Sequence, residues 1–263
     1  MERVMKTVCI KIGGATIDAA GLLQELGQSV ARLSEATFPI IIHGGGKDIS
    51  RFLELLNKEF TFVEGMRVTD AEMVTIVQMV LSGDVNKRIV NALIKENVIA
   101  VGISGVDGNL FEASKMLMRG HDIGFVGKID RVTTTVIDIF RRSRIVPVVS
   151  PISRDKEGRI YNVNADCAAG ELAMSLNADD LIFISDVPGV MVDDAVVKEI
   201  RTVDIENLIK RGHVTGGMIP KLRSAAEAVR RGVKRVHICG WQGNSTIECQ
   251  LTKDRGSGTV ICR

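Results

Sequence analysis

The chain has 263 residues, 45% of them hydrophobic and 25% charged, with 34 basic against 32 acidic side chains. That length and composition exclude a disordered or fibrous chain and leave room for one large domain or two lobes. A net charge of +2 gives no broad footprint for nucleic acid, and no apolar run approaches the ~18 residues of a membrane span.

Short apolar runs alternate with stretches of helical spacing, the pattern of a mainly parallel sheet covered by helices. The first expected strand, residues 7–12, ends in Lys11-Ile12-Gly13-Gly14. Apolar residues at helical spacing run from Ala20 to about Leu33. A second strand, 39–42, opens into His43-Gly44-Gly45-Gly46, after which Ile49, Phe52, Leu53 and Leu56 define the inner face of a helix. Residues 60–66 read as extended. Asp70 starts a helix to about Leu81, and Asp84 is expected to cap another, with Val85, Ile89, Ala92 and Leu93 inward. Residues 98–103 form the third core strand, 104–108 a turn, and 109–132 glycine-punctuated hairpins.

A helix over 135–142 precedes a strand at 145–149 and a projecting hairpin with its polar turn at 154–158. The cluster Arg141, Arg142 and Arg144 reads as a solvated helix end. Asn164 caps a small-residue helix over 165–176, whose alanines and Gly170 allow close approach to the sheet. A strand at 181–185 runs into Asp186-Val187-Pro188-Gly189. A helix near 205–211 leads to Thr215-Gly216-Gly217, and Pro220 falls in the first turn of the next helix. Strands at 233–239 and 259–262 close the chain, and the expected lobe boundary lies at 177–180. Cys9, Cys167, Cys239, Cys249 and Cys262 are odd in number and lack a C-x-x-C pair. Free thiols in a reducing compartment are expected, and with no signal-peptide pattern the location is expected to be cytoplasmic.

In open α/β sheets, ligands gather beyond the carboxyl ends of the strands. Lys11, the turn at 44–46 and Asp186 lie at such ends, and Lys221 lies early in a helix behind a glycine-rich loop. Glycine amides approach anionic oxygens closely, and a helix starting past the turn adds the positive end of its dipole. Neither glycine turn fits G-x-G-x-x-G or G-x-x-x-x-G-K-[ST]. The reading is a phosphoryl donor or an acidic metabolite held by a different loop design. Two lysines, a carboxylate and glycine amides suffice for phosphoryl transfer. Each piece also has a plainer reading. Lys11 could be a strand-end lysine, the glycines a tight turn, Asp166 an acid placed for the helix dipole, and Asn162 and Asn164 turn and cap residues. Lys221 and Arg67 could be solvated cations, and His43 a hydrogen-bonded core histidine rather than an acid or base. Their joint placement beyond strands favours the functional reading.

These residues carry a resemblance. KIGG at 11–14, HGGG at 43–46, GMRVTD at 65–70, NVNAD at 162–166, SDVPGV at 185–190 and TGGMIPK at 215–221 resemble the N-acetylglutamate kinase family, within the amino acid kinase superfamily. The likeness is nearly full length, and GFVGKID at 124–130 resembles that family's hairpin segment. It implies an α/β fold, a three-layer αβα sandwich with a mainly parallel central sheet, of the carbamate kinase-like type. It implies an N-terminal lobe, 1–177, for the acyl substrate and dimerisation, and a C-terminal lobe, 178–263, for ATP. The implied reaction is ATP-dependent phosphorylation of the side-chain carboxylate of N-acetyl-L-glutamate to N-acetyl-L-glutamyl 5-phosphate, in arginine biosynthesis. Mg²⁺ is expected on the ATP phosphates rather than at a protein metal site.

Position by position, Lys11 and Lys221 match the family's two transition-state lysines, and Asp166 the carboxylate that orients them. Gly45, Gly46, Arg67 and Asn162 match substrate contacts. Gly13, Gly14, Asp186, Val187, Gly189, Val190, Met191, His213, Val214 and Thr215 match the nucleotide side. The chemistry is consistent, since a carboxylate nucleophile is already ionised at pH 7 and needs no general base. Arg67 offers a planar fork for the α-carboxylate, and Asn162 can serve amide and carboxylate groups. Lys47 stands where proline is common, Pro188 where an acid is frequent, and residues 241–244 are unusual. Arginine-inhibited hexameric members carry an extra helix before the first strand. This chain begins a few residues before its own, so a homodimer insensitive to arginine is expected. The alternatives are a sister kinase for another acidic substrate (glutamate, aspartate or a carrier-linked aminoadipate) and an inactive amino-acid-sensing homologue. The inactive homologue predicts loss of Lys11, Asp166 or Lys221, and all three are present.

Overall fold

A computed structural model describes residues 5–13, 21–216, 218–252 and 258–263. Gly14, Ala20 and Gly217, named above, lie outside the described residues. The central sheet has eight strands: β1 Lys6–Ile12, β2 Thr37–His43, β3 Ala100–Ser104, β4 Val146–Ser150, β5 Asp180–Ser185, β6 Glu199–Arg201, β7 Arg235–Gly240 and β8 Thr259–Cys262. Their spatial order is β6-β8-β7-β5-β1-β2-β4-β3. All pairs are parallel except β7 with β8. β1 pairs with β2 on one side and β5 on the other, so the sheet is continuous across the expected lobe boundary.

Strand alternation sorts the apolar residues onto two faces. Cys9, Ile40, Ile42, Leu181 and Phe183 join one buried cluster, while Val8, Ile10, Ile12, Ile41, Ile182 and Ile184 join the other. The first cluster packs under α6 Ala165–Ser175 and α8 Met218–Arg230, with α5 Thr135–Arg142 and α7 Ile205–Lys210 beside them. The second packs under α1 Leu22–Ser34, α2 Gly46–Leu55, α3 Ala71–Gln78, α4 Asn86–Lys95 and α9 Thr246–Leu251. The result is the expected three-layer αβα sandwich. The five cysteines are free thiols, with Cys9 and Cys239 in the core. Among the described residues, no helix is long and apolar enough to cross a membrane.

Five expectations need correction. Asp84 caps no helix. Asp70 does cap α3, accepting from the Met73 N–H, but the chain then passes through a π-helical turn, Met79–Val85, straight into α4. Buried Val80, Leu81 and Val85 hold that turn against the core, and Asp84 instead accepts from Arg88 at 3.2 Å. Leu56 lies past the end of α2 and is 52% exposed, leaving Ile49 and Leu53 as the buried face. Gly170 faces α8 rather than the sheet; a Cβ there would come 3.1 Å from Ser224 Oγ. Arg141 is not simply solvated, because its guanidinium lies 5.3 Å from the centre of the Phe38 ring. The hairpin at 154–158 does not project alone. Its strands, Ile152–Arg154 and Ile160–Val163, close a four-stranded barrel with Phe111–Met118 and His121–Val132.

Candidate active site

Lys11 stands one residue before the end of β1 and, by alternation from Cys9, faces the layer of α6 and α8. Asp166 rises to meet it from the first turn of α6. Asn164 fixes that turn, its side-chain oxygen accepting from the Asp166 N–H at 2.8 Å and the Cys167 N–H at 3.1 Å. Lys221 approaches from the first turns of α8, its Nζ 5.0 Å from the centre of the Phe183 ring. One Asp166 oxygen lies 2.7 Å from Lys11 Nζ and the other 2.7 Å from Lys221 Nζ. The side chains of Lys11, Asp166 and Lys221 are only 12%, 22% and 10% exposed, which strengthens both ion pairs. Burial alone would raise the Asp166 pKa, but the two ammonium charges and their hydrogen bonds outweigh it and hold the carboxyl below its ordinary 3.8. Burial lowers Lys221 below its ordinary 10.5, with Asp166 opposing the shift and Lys11 adding to it. At 10% exposure Lys221 is not the solvated cation of its plainer reading, and Lys11 is paired with Asp166 rather than standing free at the strand end.

Beside this clamp lies a cavity of about 230 Å³, lined by Lys11, Asp166, the turn at 44–46, Arg67 and Asn162, with Phe62, Leu81, Val126 and Pro151 among its apolar walls. The turn is tied to β1 by the Gly44 N–H, which donates to Ile12 O at 2.9 Å. Gly45 is the N-cap of α2 and Gly46 its first residue, so the positive end of that helix faces the cavity. A Cβ on Gly45 would meet Leu81 Cδ2 at 2.6 Å, so any side chain there would have to displace Leu81 of the π-helical turn.

Arg67 is 7% exposed, where a solvated cation was the plainer expectation. The hairpin of Phe62–Val63 and Met66–Arg67 pairs it directly with Phe62, and its guanidinium lies 4.7 Å from that ring and 4.4 Å from the Phe60 ring. Its Nη2 donates to Gly46 O at 3.1 Å and Ser50 Oγ at 2.7 Å, bracing the glycine turn. Its Nη1 is buried without a hydrogen-bond partner. Burial lowers its pKa, yet a guanidinium keeps its charge. A cationic side chain that lines a small cavity with one buried N–H unpaired suits an anionic ligand. Asn162 Nδ2 lies 3.5 Å from Thr69 Oγ1.

Of the residues matched to the nucleotide, Gly189 and Val190 lie on the loop after β5 and Met191 opens a short strand, Met191–Val192. Gly13 follows β1, Asp186 and Val187 follow β5, and His213 to Thr215 precede α8. Asp186 accepts from Ser185 Oγ at 3.1 Å and its charge reaches Lys221. Past Gly189, Val190 is buried, its N–H donating to Thr259 Oγ1 at 2.8 Å, and Val214 is buried in the same cluster. Met191 is exposed, and His213 Nδ1 lies 3.8 Å from Asp193. His43 is a buried, hydrogen-bonded core histidine, as expected. Sequence reasoning missed Ser50, Leu81 and the two phenylalanines. The F-x-F spacing at 60–62 was the available signal, since alternate strand residues share a face. Trp241 Nε1 donates to Glu25 at 2.7 Å and Asn244 Nδ2 to Gln28 at 3.2 Å, so the unusual segment docks on α1.

The amino acid kinase family model matches residues 6–240, and the chain belongs to that family. It is a kinase. It is 39% identical over 261 residues to the acetylglutamate kinase of Brachyspira hyodysenteriae, covering 97% of this chain and 90% of that protein. It is 42% identical over 262 residues to the acetylglutamate kinase of Caldanaerobacter subterraneus subsp. tengcongensis, covering 97% and 87%. The carbamate kinase of Giardia lamblia, solved with AMP-PNP, superposes with a TM-score of 0.71 at 18% identity, covering 98% and 99%, which shows the shared fold.

Proposed function

We propose that this kinase transfers the γ-phosphoryl group of ATP to the side-chain carboxylate of N-acetyl-L-glutamate, giving N-acetyl-L-glutamyl 5-phosphate for arginine biosynthesis. The observation that carries the reading is the Lys11–Asp166–Lys221 clamp beside a cavity that Lys11, Asp166, Arg67 and the glycine turn line together. The names of the relatives at 39% and 42% identity support the same substrate. Arg67 holds the α-carboxylate, Asn162 the acetamido group, and the Gly45 and Gly46 amides the carboxylate that attacks. That carboxylate is ionised at pH 7, so the barrier lies in bringing two anions together rather than in removing a proton. Lys11 and Lys221 neutralise oxygens of the phosphoryl group in flight, and Asp166 keeps both amines aimed without reaching the substrate.

ATP is the donor, in line with the AMP-PNP on the Giardia relative of the same fold. Gly13, Gly14, Asp186 to Val187, Gly189 to Met191 and His213 to Thr215 hold the nucleotide. Val190, whose N–H donates to Thr259 Oγ1 and whose carbonyl accepts from the Val197 N–H, shapes the loop around the nucleotide rather than bonding to it. Both Asp166 oxygens are committed to ammonium groups, so on this reading the ion is carried by the nucleotide rather than by Asp166. Mg²⁺ there neutralises phosphate charge. On this reading 1–177 is the acyl and dimerisation lobe and 178–263 the ATP lobe, in a cytoplasmic homodimer. β3 ends the sheet, and Ile94 and Ile99 on the adjoining segment are 53% and 66% exposed, which supports a partner there. Trapping the acyl phosphate as a hydroxamate tests the function. Acetylglutamate is expected to turn over fastest; faster turnover of free glutamate or aspartate overturns the substrate, and complete inactivity overturns the reaction. Sedimentation as a monomer overturns the dimer.

A further inference from the structure

His43 belongs to the glycine motif, yet its side chain turns away from the cavity. Alternation from Ile41 directs it to the α4 face of the sheet, where it is fully buried. Its Nδ1 lies 2.8 Å from Gly44 O. A carbonyl only accepts, so Nδ1 carries a proton and donates it. Burial lowers the ring's pKa to about 4, so near pH 7 the imidazole is neutral and Nε2 is an acceptor. Asn86 Nδ2 lies 3.1 Å from that Nε2 and donates to Val148 O at 2.9 Å. The amide cannot face the other way, because Asn86 Oδ1 receives Lys87 Nζ at 2.9 Å and a carbonyl such as Val148 O accepts only from the NH₂ side. The carbonyls of Val148 and, at 3.4 Å, Ile103 therefore fix the asparagine, the asparagine fixes the tautomer, and the histidine fixes the Gly44 carbonyl.

The Gly44–Gly45 peptide is planar and trans, so its N–H points opposite to its carbonyl. With that carbonyl turned inward to His43, the Gly45 N–H is left on the side of the turn that lines the cavity. We infer that Asn86 and His43 form a positioning relay for the acyl substrate, holding the Gly44–Gly45 peptide so that the Gly45 N–H meets the attacking carboxylate. The inference rests on the proposed role of that amide. Two further features belong to the device. Gly102 must lack a side chain, since a Cβ there would overlap Asn86 Oδ1. Asn86 also follows directly on the π-helical turn, and the extra residue of such a turn rotates all later positions by about 100° relative to an unbroken α-helix.

The test compares two amides in the full-length protein. Asparagine places its amide where an imidazole has Nδ1, whereas glutamine reaches the Nε2 position and leaves Gly44 O without its donor. His43→Gln is expected to raise the KM for acetylglutamate about tenfold, one hydrogen bond's share of orientation, with kcat and the ATP KM within about twofold. His43→Asn is expected to recover most of that loss. Equal KM values for two variants that melt at the same temperature overturn the relay. Nitrogen-15 spectra of the four histidines give a reading that needs no variant to stay active. An Nδ1–H tautomer at His43 is expected, and an Nε2–H tautomer overturns the relay whatever the kinetics. A split between the variants that falls on the ATP KM alone keeps the relay but overturns the acyl role of the glycine turn.

Discussion

Replacing Asp166 by asparagine keeps the shape at the centre of the site and removes one negative charge. Two ammonium groups that each lay 2.7 Å from a carboxylate oxygen then share a site that water barely reaches. At an effective dielectric near 20, each lost contact is about 6 kcal/mol of Coulomb energy, and breaking a buried pair costs about 3–5 kcal/mol after relaxation. Proton release sets a ceiling. A lysine with the ordinary value of 10.5 can shed its proton at pH 7 for about 5 kcal/mol, and burial has already lowered Lys221 below that value. The variant is therefore expected to lose about 3 kcal/mol of folding stability in urea titrations, with one amine neutral at pH 7. Hydroxamate trapping is expected to show kcat down about 10²–10³-fold, the usual cost of removing one electrostatic element from a transition state.

The pH dependence has a definite sign. Asp166 is held below 3.8, so its stabilisation is complete above the ordinary carboxylate value and is lost as the pH falls through its lower folded value. The stability gap between parent and variant should close in that acid range. A variant within about 0.5 kcal/mol of the parent, with kcat within about threefold, would refute the clamp.

Three other outcomes are expected. Lys11→Arg should cut turnover about a hundredfold with little change in the ATP KM, because a larger planar head misplaces the charge; unchanged turnover counts against a role for Lys11. Arg67→Ala removes the bonds to Gly46 and Ser50 and the cation–ring contacts with Phe60 and Phe62, and is expected to raise the acetylglutamate KM about 10- to 100-fold. A defect confined to the ATP KM refutes that assignment. Cys9 and Cys239, buried with thiols pushed up to about 12, should resist a maleimide until the protein unfolds, while exposed Cys249 labels first. Native labelling of Cys9, read by peptide mass, refutes the core placement.

The layers were legible where local and long-range forces agree. β2 and β5 carry unbroken apolar runs at 38–42 and 181–184, β1 is apolar over 8–12 except at Lys11, and α5 spans the residues expected of it. Punctuation misled at Ser82-Gly83-Asp84, which reads as a helix end followed by a cap. Packing carries the chain through instead, because Leu81 and Val85 must reach the glycine turn, and a π-helical turn is how the backbone reaches it. The barrel was legible only as hairpins. Its closure needs Asn162 beside Val126 in a parallel pair, and no local pattern records a contact between segments so far apart.

Lys11, Asp166 and Lys221 come from three distant segments, and the sequence marks each by its place at a strand end or in an early helical turn. Their convergence depends on register. Lys11 pairs with Phe183, and Lys221 lies over the same ring, so one phenylalanine on β5 sets both amines at the height of Asp166. Arg67 depends on register too. Glu64 and Gly65 both have positive φ, the backbone of a tight two-residue hairpin turn, and that turn sets Phe62 opposite Arg67. Lengthening the turn by one residue would move the guanidinium to the other face, away from the rings and the glycine turn. Against the two perpendicular rings Arg67 loses its water but keeps its charge, and Nη1 is left buried without a partner at a side chain that lines the cavity. A neutral group there leaves a buried cation underpaid in hydrogen bonds, whereas a carboxylate satisfies it. On the proposed role of Arg67, the preference for an acidic substrate resides in the hairpin at 60–67 as much as in the glycine motif, and a change confined to that turn should relax selectivity without touching the lysine clamp.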